Sequence, residues 1–417
     1  MSTEPALPSL VGAAWLADKS LQHVMSVLDG KDGRTLIVGG TVRNALMGIP
    51  VSDVDLATEL QPEEVVRRVE AAGLKAVPTG IAHGTVTVVA SGKPYEVTTL
   101  RHDIETDGRR AKVRFTDDWA ADASRRDFTI NALYLTMGGV LVDPLGGASD
   151  ILSRRVRFIG NADDRIAEDY LRILRFFRFS ASFAESGLDP EGLAACIRGR
   201  NGMLGLSAER VHQELLKLLA AARPLDAVTA LCDTGIFSLL AAGVPHLMPF
   251  ARYLDIEHEH ALSGDALRRL CILACVVTED AERLGVRLRL SRAEEKRLAA
   301  SVSGYRDVRP FMSALDAKRG IYHAGPEAWR DRVALAWCRS PQANDERWSS
   351  LYDLPSSWSA PALPWSGKTL AAQGIKEGPG MGRLLKQLEE LWISADFPAG
   401  EKEQALILDE ALEQFAD

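Results

Sequence analysis

The sequence predicts an α+β protein, with a mixed-sheet head of about five strands and helices followed by an all-α remainder. Two observations carry this. Between residues 30 and 147, short β-branched runs alternate with helical stretches. From about residue 150 strand signals vanish, and apolar residues recur at i, i+3, i+4 and i+7. The chain has 417 residues, enough for two or three domains.

Residues 8–29 read as one helix ending near Gly30. The runs at 35–40 and 53–58 read as strands. Residues 61–74 read as a helix, with Pro62 at its start, acids in its first turn and Gly73 at its end. Three β-rich runs follow, at 75–80, 84–90 and 95–101. Residues 102–114, polar with glycine and charges, read as a mobile loop that includes Asp107-Gly108-Arg109-Arg110. The runs 128–136 and 140–145 read as two more strands around Gly138-Gly139. Residues 168–184 form a long amphipathic pattern, and 207–222 another with Ser207 as N-cap. Further helices are expected at 224–241, 263–277, 292–303, 327–338, 368–373, 380–392 and 401–415. Residues 350–367, rich in Pro, Ser and Trp, read as a linker. The expected division is 1–150 head, 151–222 neck, 223–350 body and 351–417 linker and tail.

Composition is that of an ordinary globular chain, 46% hydrophobic and 25% charged. No apolar run approaches the roughly 20 residues of a membrane span, and the N-terminus lacks the layout of a secretory signal. Five scattered cysteines, Cys196, Cys232, Cys271, Cys275 and Cys338, read as buried thiols in a reducing cytoplasm. The net charge of −8 argues mildly against nucleic-acid binding. Against that, seven arginines fall between Arg154 and Arg178, with four acids among them. His258 and His260 read as surface histidines.

The most informative stretch is VGGTVRNALMGIPVSDVDLAT (38–58). Asp53 and Asp55, at i and i+2 of a strand, would share a face about 7 Å apart. Such a pair can hold two Mg²⁺ ions about 3.5–4 Å apart. Gly39 and Gly40, at a strand-to-helix turn, suit a phosphate. Together these are equipment for moving a nucleotidyl group, although each alone also fits a plain turn or a solvated strand end. Glu96 adds a third acid able to order metals or accept a proton. Arg125-Arg126-Asp127-Phe128-Thr129-Ile130-Asn131 supplies a phosphate grip and a ribose acceptor. Adjacent arginines on a strand would leave one facing the ligand. Asn131 could serve either group. Asp169 and Arg172, i and i+3 on a helix, form either a surface ion pair or a base-reading pair. The pattern of an amino group beside a ring acceptor belongs to cytosine and adenine. Arg175 lies one turn beyond Arg172.

These segments, with Asp143-Pro144…Gly146-Gly147…Asp150 and Glu168-Asp169…Arg172…Arg175, follow the order seen in class II tRNA nucleotidyltransferases. The chain resembles these CCA-adding enzymes, whose close relatives are bacterial poly(A) polymerases. Ser207-Ala208-Glu209-Arg210-Val211…Glu214-Leu215 resembles the motif that follows, and Gly367-Lys368…Gly374-Ile375…Gly378-Pro379…Gly382 a common C-terminal segment. The match spans about residues 30–220 plus this tail.

The resemblance implies a nucleotidyltransferase head on a helical neck, body and tail, acting on tRNA with CTP and ATP. It implies that Asp53 and Asp55 hold Mg²⁺ beside Glu96, and that Gly39, Gly40 and Arg43 meet the triphosphate. Arg126 and Asp127 would meet the ribose. Asp169 and Arg172 would read the base without a nucleic-acid template, braced by Arg210 and Glu214. The loop 102–114 would serve the final A. Asn44 departs from the pattern, standing where many members have Asp.

Three rivals remain. A poly(A) polymerase would carry a basic Gly-Arg-Arg-Phe segment where this chain has Thr79-Gly80-Ile81-Ala82-His83-Gly84. A CC-adding enzyme is disfavoured by the intact 102–114 loop. A non-catalytic RNA-binding protein would gain nothing from two acids near phosphates.

Overall fold

The computed structural model describes residues 7–107, 110–341, 345–375 and 378–416. The chain divides into two compact units, 1–240 and 241–417.

In the first unit, Asp18 caps helix α1 (Lys19–Val27), its carboxylate accepting from the N–H groups of Ser20 and Leu21. The helix expected over 8–29 is therefore shorter, and residues 14–17 form a separate 3₁₀ turn. Strand β1 (Thr35–Val38), buried throughout, leads through Gly39 into α2 (Gly40–Leu46). Strand β2 (Asp55–Thr58) is followed by α3 (Pro62–Ala71), which has proline in its first turn, Glu63 and Glu64 against the positive end of the helix dipole, and Gly73 at φ +74° beyond its end.

Strands β3 (Lys75–Gly80), β4 (Thr85–Ala90) and β5 (Lys93–Thr99) complete the crossover. In β4, residues alternate between buried and half-buried. The seven-stranded sheet runs β3-β4-β5-β2-β1-β8-β9, where β8 is Tyr134–Leu135 and β9 Leu141–Val142. Among the described residues, only β2 and β5 pair in parallel. The α+β class holds, and the sheet has two more strands than the five or so expected.

Three local expectations differ. Much of the segment 102–114 is not loop: β6 (Arg101–Asp107) and β7 (Arg110–Phe115) form an antiparallel ribbon registered from Arg101↔Phe115 to Asp107↔Arg110. Backbone pairing satisfies the peptide groups whatever the polarity of the side chains. Gly108 and Arg109 lie outside the described residues. The run 128–136 is a strand only at Tyr134–Leu135, and Thr129–Asn131 is a 3₁₀ turn packed under α5 (Gly147–Leu152). A Cβ at Gly147 would collide with the Thr129 carbonyl, which explains the glycine. Arg125 and Arg126 are not on a strand; they follow α4 (Trp119–Ser124).

Helices α6 (Ala162–Glu168) and α7 (Leu171–Phe183) replace the single helix expected from 168. The break is Asp169, extended at φ −155°, whose carboxylate accepts from Leu171 N–H. Helices α8 (Pro190–Gly199), α9 (Ala208–Leu219), α10 (Leu225–Asp233) and α11 (Ile236–Ala241) follow, with Gly235 at φ +74° splitting the last two. Ser207 occupies the N-cap position of α9. Aromatic contacts fasten α7 to the sheet region: Phe128 lies 4.9 Å from Phe158 in a tilted pair, and Phe158 stacks on Phe176 at 5.4 Å.

The second unit is helical among its described residues: α12 (Leu247–Glu259), α13 (Ala266–Ala274), α14 (Thr278–Leu288), α15 (Arg292–Gly304), α16 (Ala314–Ala324), α17 (Pro326–Arg339), α18 (Asp345–Ser357), α19 (Gly367–Ala372), α20 (Pro379–Ser394) and α21 (Glu401–Ala416). Helices α12, α14 and α16 were not expected, and α18 runs into the supposed linker as far as Ser357. Asp331, 1% exposed, accepts from Arg268 Nε at 2.6 Å and Arg297 Nε at 2.6 Å, a paired charge cluster inside the bundle. Four cysteines are buried and Cys232 is half-buried; all five are free thiols. His258 is exposed, while His260 is half-buried against Trp337.

Candidate active site

The parallel pairing of β2 with β5 sets Asp55 directly beside Glu96. Neighbouring strands lie about 4.8 Å apart, so two carboxylates meet at one end of the sheet. Both line a cavity of about 760 Å³ in the first unit. Crowding by protein atoms pushes the Asp55 carboxyl up, and the charges of Glu96 and Asp53 push it further, with Arg126 pulling back.

Asp53 is placed differently from expectation. It precedes β2 and does not share a strand face with Asp55. Its carbonyl accepts from Thr41 Oγ1 at 2.7 Å, and its carboxylate from Ser52 Oγ at 3.1 Å. Among the described residues no ready-made cluster of three metal-ligating side chains stands. Negative charge nonetheless concentrates at Asp55, Glu96 and the adjacent Asp53, and the raised Asp55 carboxyl is what a cation there would relieve. The donor set, oxygen alone, fits a hard divalent ion.

The cavity as a whole is strongly cationic: nine basic side chains face four acidic ones, Asp55 and Glu96 included, among the described lining residues. Gly39 holds φ +71° and ψ −124°, a glycine conformation, and its N–H donates to the Leu133 carbonyl at 3.0 Å. Gly39 and Gly40 line the cavity beside Arg43. Arg43 is 8% exposed and hydrogen-bonds two neutral amides: Nη1 donates to Asn131 Oδ1 at 2.5 Å, and Nε and Nη2 donate to Asn44 Oδ1 at 3.1 and 2.9 Å. Phe183 lies 4.1 Å from the guanidinium. Burial pushes Arg43 down to about 10, partly offset by Asp127. A buried cation whose amide partners carry no charge is suited to an anion.

Asp127 is the hub behind it. Its Oδ1 accepts from Phe128 N–H and Asn131 Nδ2, each at 2.9 Å, and its Oδ2 from Arg175 Nε and Nη2 at 2.8 and 2.5 Å. Burial opposes its charge, but Arg175 and these donors prevail and hold the carboxyl below the usual range. Four donors fill its acceptor sites, so it orients Arg175 and Asn131 rather than reaching outward.

Arg172 does not pair with Asp169. It donates to Glu168 at 2.5 Å and to the Arg165 carbonyl at 2.7 Å. Asp169 is held by Arg210, at 2.6 Å. Asp169, Arg172 and Arg210 all line the cavity. Glu214, buried, sits 3.2 Å from Arg178.

Sequence reasoning missed Asp122. This carboxylate is 1% exposed; it accepts from Arg125 Nε at 2.8 Å, Arg126 Nη2 at 3.0 Å and Tyr134 hydroxyl at 2.8 Å. It turns both arginines into the cavity, where one was expected to face a ligand. Lying in the bland helix WAADAS, it gave no signal. Arg178 and Phe179 also line the cavity; the first was visible in the arginine run but had no assigned role.

Residues 35–157 match the poly A polymerase head domain, and residues 188–248 match the probable RNA and SrmB-binding site of polymerase A. The mouse mitochondrial CCA tRNA nucleotidyltransferase 1 is 33% identical over 90% of this chain and 87% of its own length. The chain belongs to the CCA tRNA nucleotidyltransferase family. Among bacterial members, the CCA-adding enzyme of Lacticaseibacillus paracasei is 29% identical over 91% of this chain and 93% of that protein. The CCA-adding enzyme of Bacillus stearothermophilus, solved in complex with CTP, superposes with a TM-score of 0.73 at 25% identity, covering 95% of this chain and 99% of that one. CCA tRNA nucleotidyltransferases are transferases, and this family's chemistry is the frame for the cavity. No helix among the described residues is long and apolar enough to cross a membrane.

Proposed function

We propose that this chain adds CCA to the 3′ end of tRNA from CTP and ATP, without a nucleic-acid template. The observation that carries the reading is the single cavity in which Asp55 and Glu96 face an excess of arginines, inside a chain of this family. The tRNA 3′-oxygen attacks the α-phosphorus, the bond to the bridging oxygen of the β-phosphate breaks, and pyrophosphate leaves. The proton of the 3′-hydroxyl passes to Glu96 or to water.

Asp53 and Asp55 would hold Mg²⁺, which when bound supplies charge neutralisation at the phosphate oxygens. Arg43, with Gly39 and Gly40, grips the triphosphate. Arg126, aimed by Asp122, meets the ribose and α-phosphate region. Asp127 positions Arg175 and Asn131 behind them. Asp169 accepts from the exocyclic amino group of cytosine or adenine, and Arg172 donates to the adjacent ring acceptor. Arg210 braces Asp169, and Glu214 steadies Arg178. Most of the catalytic effect is positioning and charge stabilisation. We retain the head, neck, body and tail division, with residues 223–417 gripping tRNA, and place the enzyme in a reducing compartment such as the cytoplasm, as five free thiols suit.

Pyrophosphate release tests the reading. Release from CTP and ATP that requires both Mg²⁺ and tRNA lacking its terminus is expected, with little from GTP or UTP. Release independent of RNA would overturn it.

A further inference from the structure

A second cavity of the first unit, about 320 Å³, reaches the aspartate segment from another side. Asp53 lines it, whereas Asp55, two residues on, lines the larger cavity. The segment 53–55 thus stands between two cavities. Nucleotidyl transfer needs two reactants brought together at these carboxylates, with the acceptor opposite the leaving group.

The two cavities differ in chemistry. The larger one is crowded with arginines. The smaller has a single basic side chain among its described lining residues, Lys93, and Asp18 pairs with it at 2.6 Å. With Asp53 added, acids outnumber that lysine in the lining, which gives a second triphosphate nothing to bind. Its walls are instead Trp15, half-buried, with Val51, Val54 and Pro94. Tyr95 backs it, with its hydroxyl fixed at 2.5 Å from Ser20 Oγ. An aromatic face among apolar groups accepts any nucleobase by stacking. The volume lies at the lower end of the roughly 300–1,000 Å³ of small-molecule sites, a fit for one nucleoside.

We propose that this cavity receives the 3′-terminal nucleoside of the RNA acceptor, its base against Trp15 and its ribose toward Asp53. The assignment rests on the reaction proposed above. Stacking tolerant of base identity suits an acceptor end that changes with every addition.

The test compares Trp15→Ala, Trp15→Phe and the cavity-filling Val51→Trp in the full chain. Readouts are KM for tRNA lacking its terminus and, separately, CTP binding by calorimetry without RNA. Trp15→Ala and Val51→Trp are expected to raise the acceptor KM about tenfold, Trp15→Phe to restore most of it, and CTP affinity to stay unchanged. Wild-type acceptor KM in both Trp15→Ala and Val51→Trp overturns the assignment while leaving the reaction intact. So does a parallel loss of CTP affinity. A wild-type chain that extends no RNA overturns the reaction and this assignment together.

Discussion

Asp127 and Arg175 are joined by two hydrogen bonds, of 2.8 and 2.5 Å, that tie the segment leading into the 3₁₀ turn Thr129–Asn131 to helix α7. Through Asn131, the same carboxylate reaches Arg43. Residues proposed to grip the triphosphate and those on the helix proposed to read the base are therefore one hydrogen-bonded set. Asp127→Asn leaves Arg175 without its carboxylate. Removing one partner of a buried pair costs roughly 3–5 kcal/mol, and the partial exposure of Arg175 places this one at the low end of that range. Chemical denaturation should show the loss, and KM for CTP and ATP should rise together. A rise for one nucleotide alone would contradict the shared role.

The same carboxyl gives a pH dependence. Its folded value lies below its ordinary value, so its stabilisation is present above the ordinary carboxylate range. It is lost as pH falls through the depressed value. Wild type should outlast Asp127→Asn in thermal melts at pH 7, and the difference should shrink under strongly acidic conditions.

Asp55 shifts the opposite way, upward, and must be ionised to hold a cation. Activity should therefore fall on the acidic side at a higher pH than an ordinary aspartate would dictate, and added Mg²⁺ should move that limb downward. Asp55→Asn should lower turnover about a hundred- to thousandfold while leaving tRNA binding in gel-shift assays largely intact. Because a raised carboxyl opposes the folded state above its own value, this variant should melt higher than wild type at pH 7 without metal.

Asp169→Ala should loosen selection of CTP and ATP over UTP and GTP more than it slows addition. A base-edge pair is worth about 1–3 kcal/mol, so discrimination should fall roughly ten- to hundredfold. Arg210→Met, which frees Asp169 from its 2.6 Å partner, should do the same to a smaller degree. Misincorporation kinetics with single nucleotides measure both, and unchanged discrimination would remove Asp169 from base reading.

In the second unit, Asp331→Asn removes the buried carboxylate shared by Arg268 and Arg297. Among the described residues, this leaves Arg297 its 2.8 Å pair with Asp265 and Arg268 only the more distant carboxylate of Glu327 at 3.7 Å. The expected loss is about 3–5 kcal/mol, read by denaturation, with kcat at permissive temperature near wild type.

What could be read from sequence followed the reach of each signal. Gly39-Gly40, Asp55 and Glu96 were legible because turn chemistry and β-branched runs are local, yet their meeting depends on a parallel register that sequence spacing does not reveal. Asp53 was assigned the strand geometry of Asp55 because alternation cannot show where pairing begins. Asp169 was read as helical, since the periodicity runs through it; its own carboxylate, by capping α7, makes the break. The partners of Asp169 and Arg172 exchanged for the same reason. Asp122 carries two arginines from a helix of alanines, and a buried lone acid has no sequence signature. The ribbon at 101–115 looked like loop because backbone pairing leaves no mark on polar side chains.

The most direct measurement is extension of a tRNA lacking its 3′-terminal CCA, with Mg²⁺ and labelled nucleotides singly and together, read at single-nucleotide resolution. The account predicts growth by CTP alone that halts at +2, and a product that stops at +3 when ATP is also present. A long ladder with ATP alone, a stop at +2 with both nucleotides, or binding without extension would contradict it.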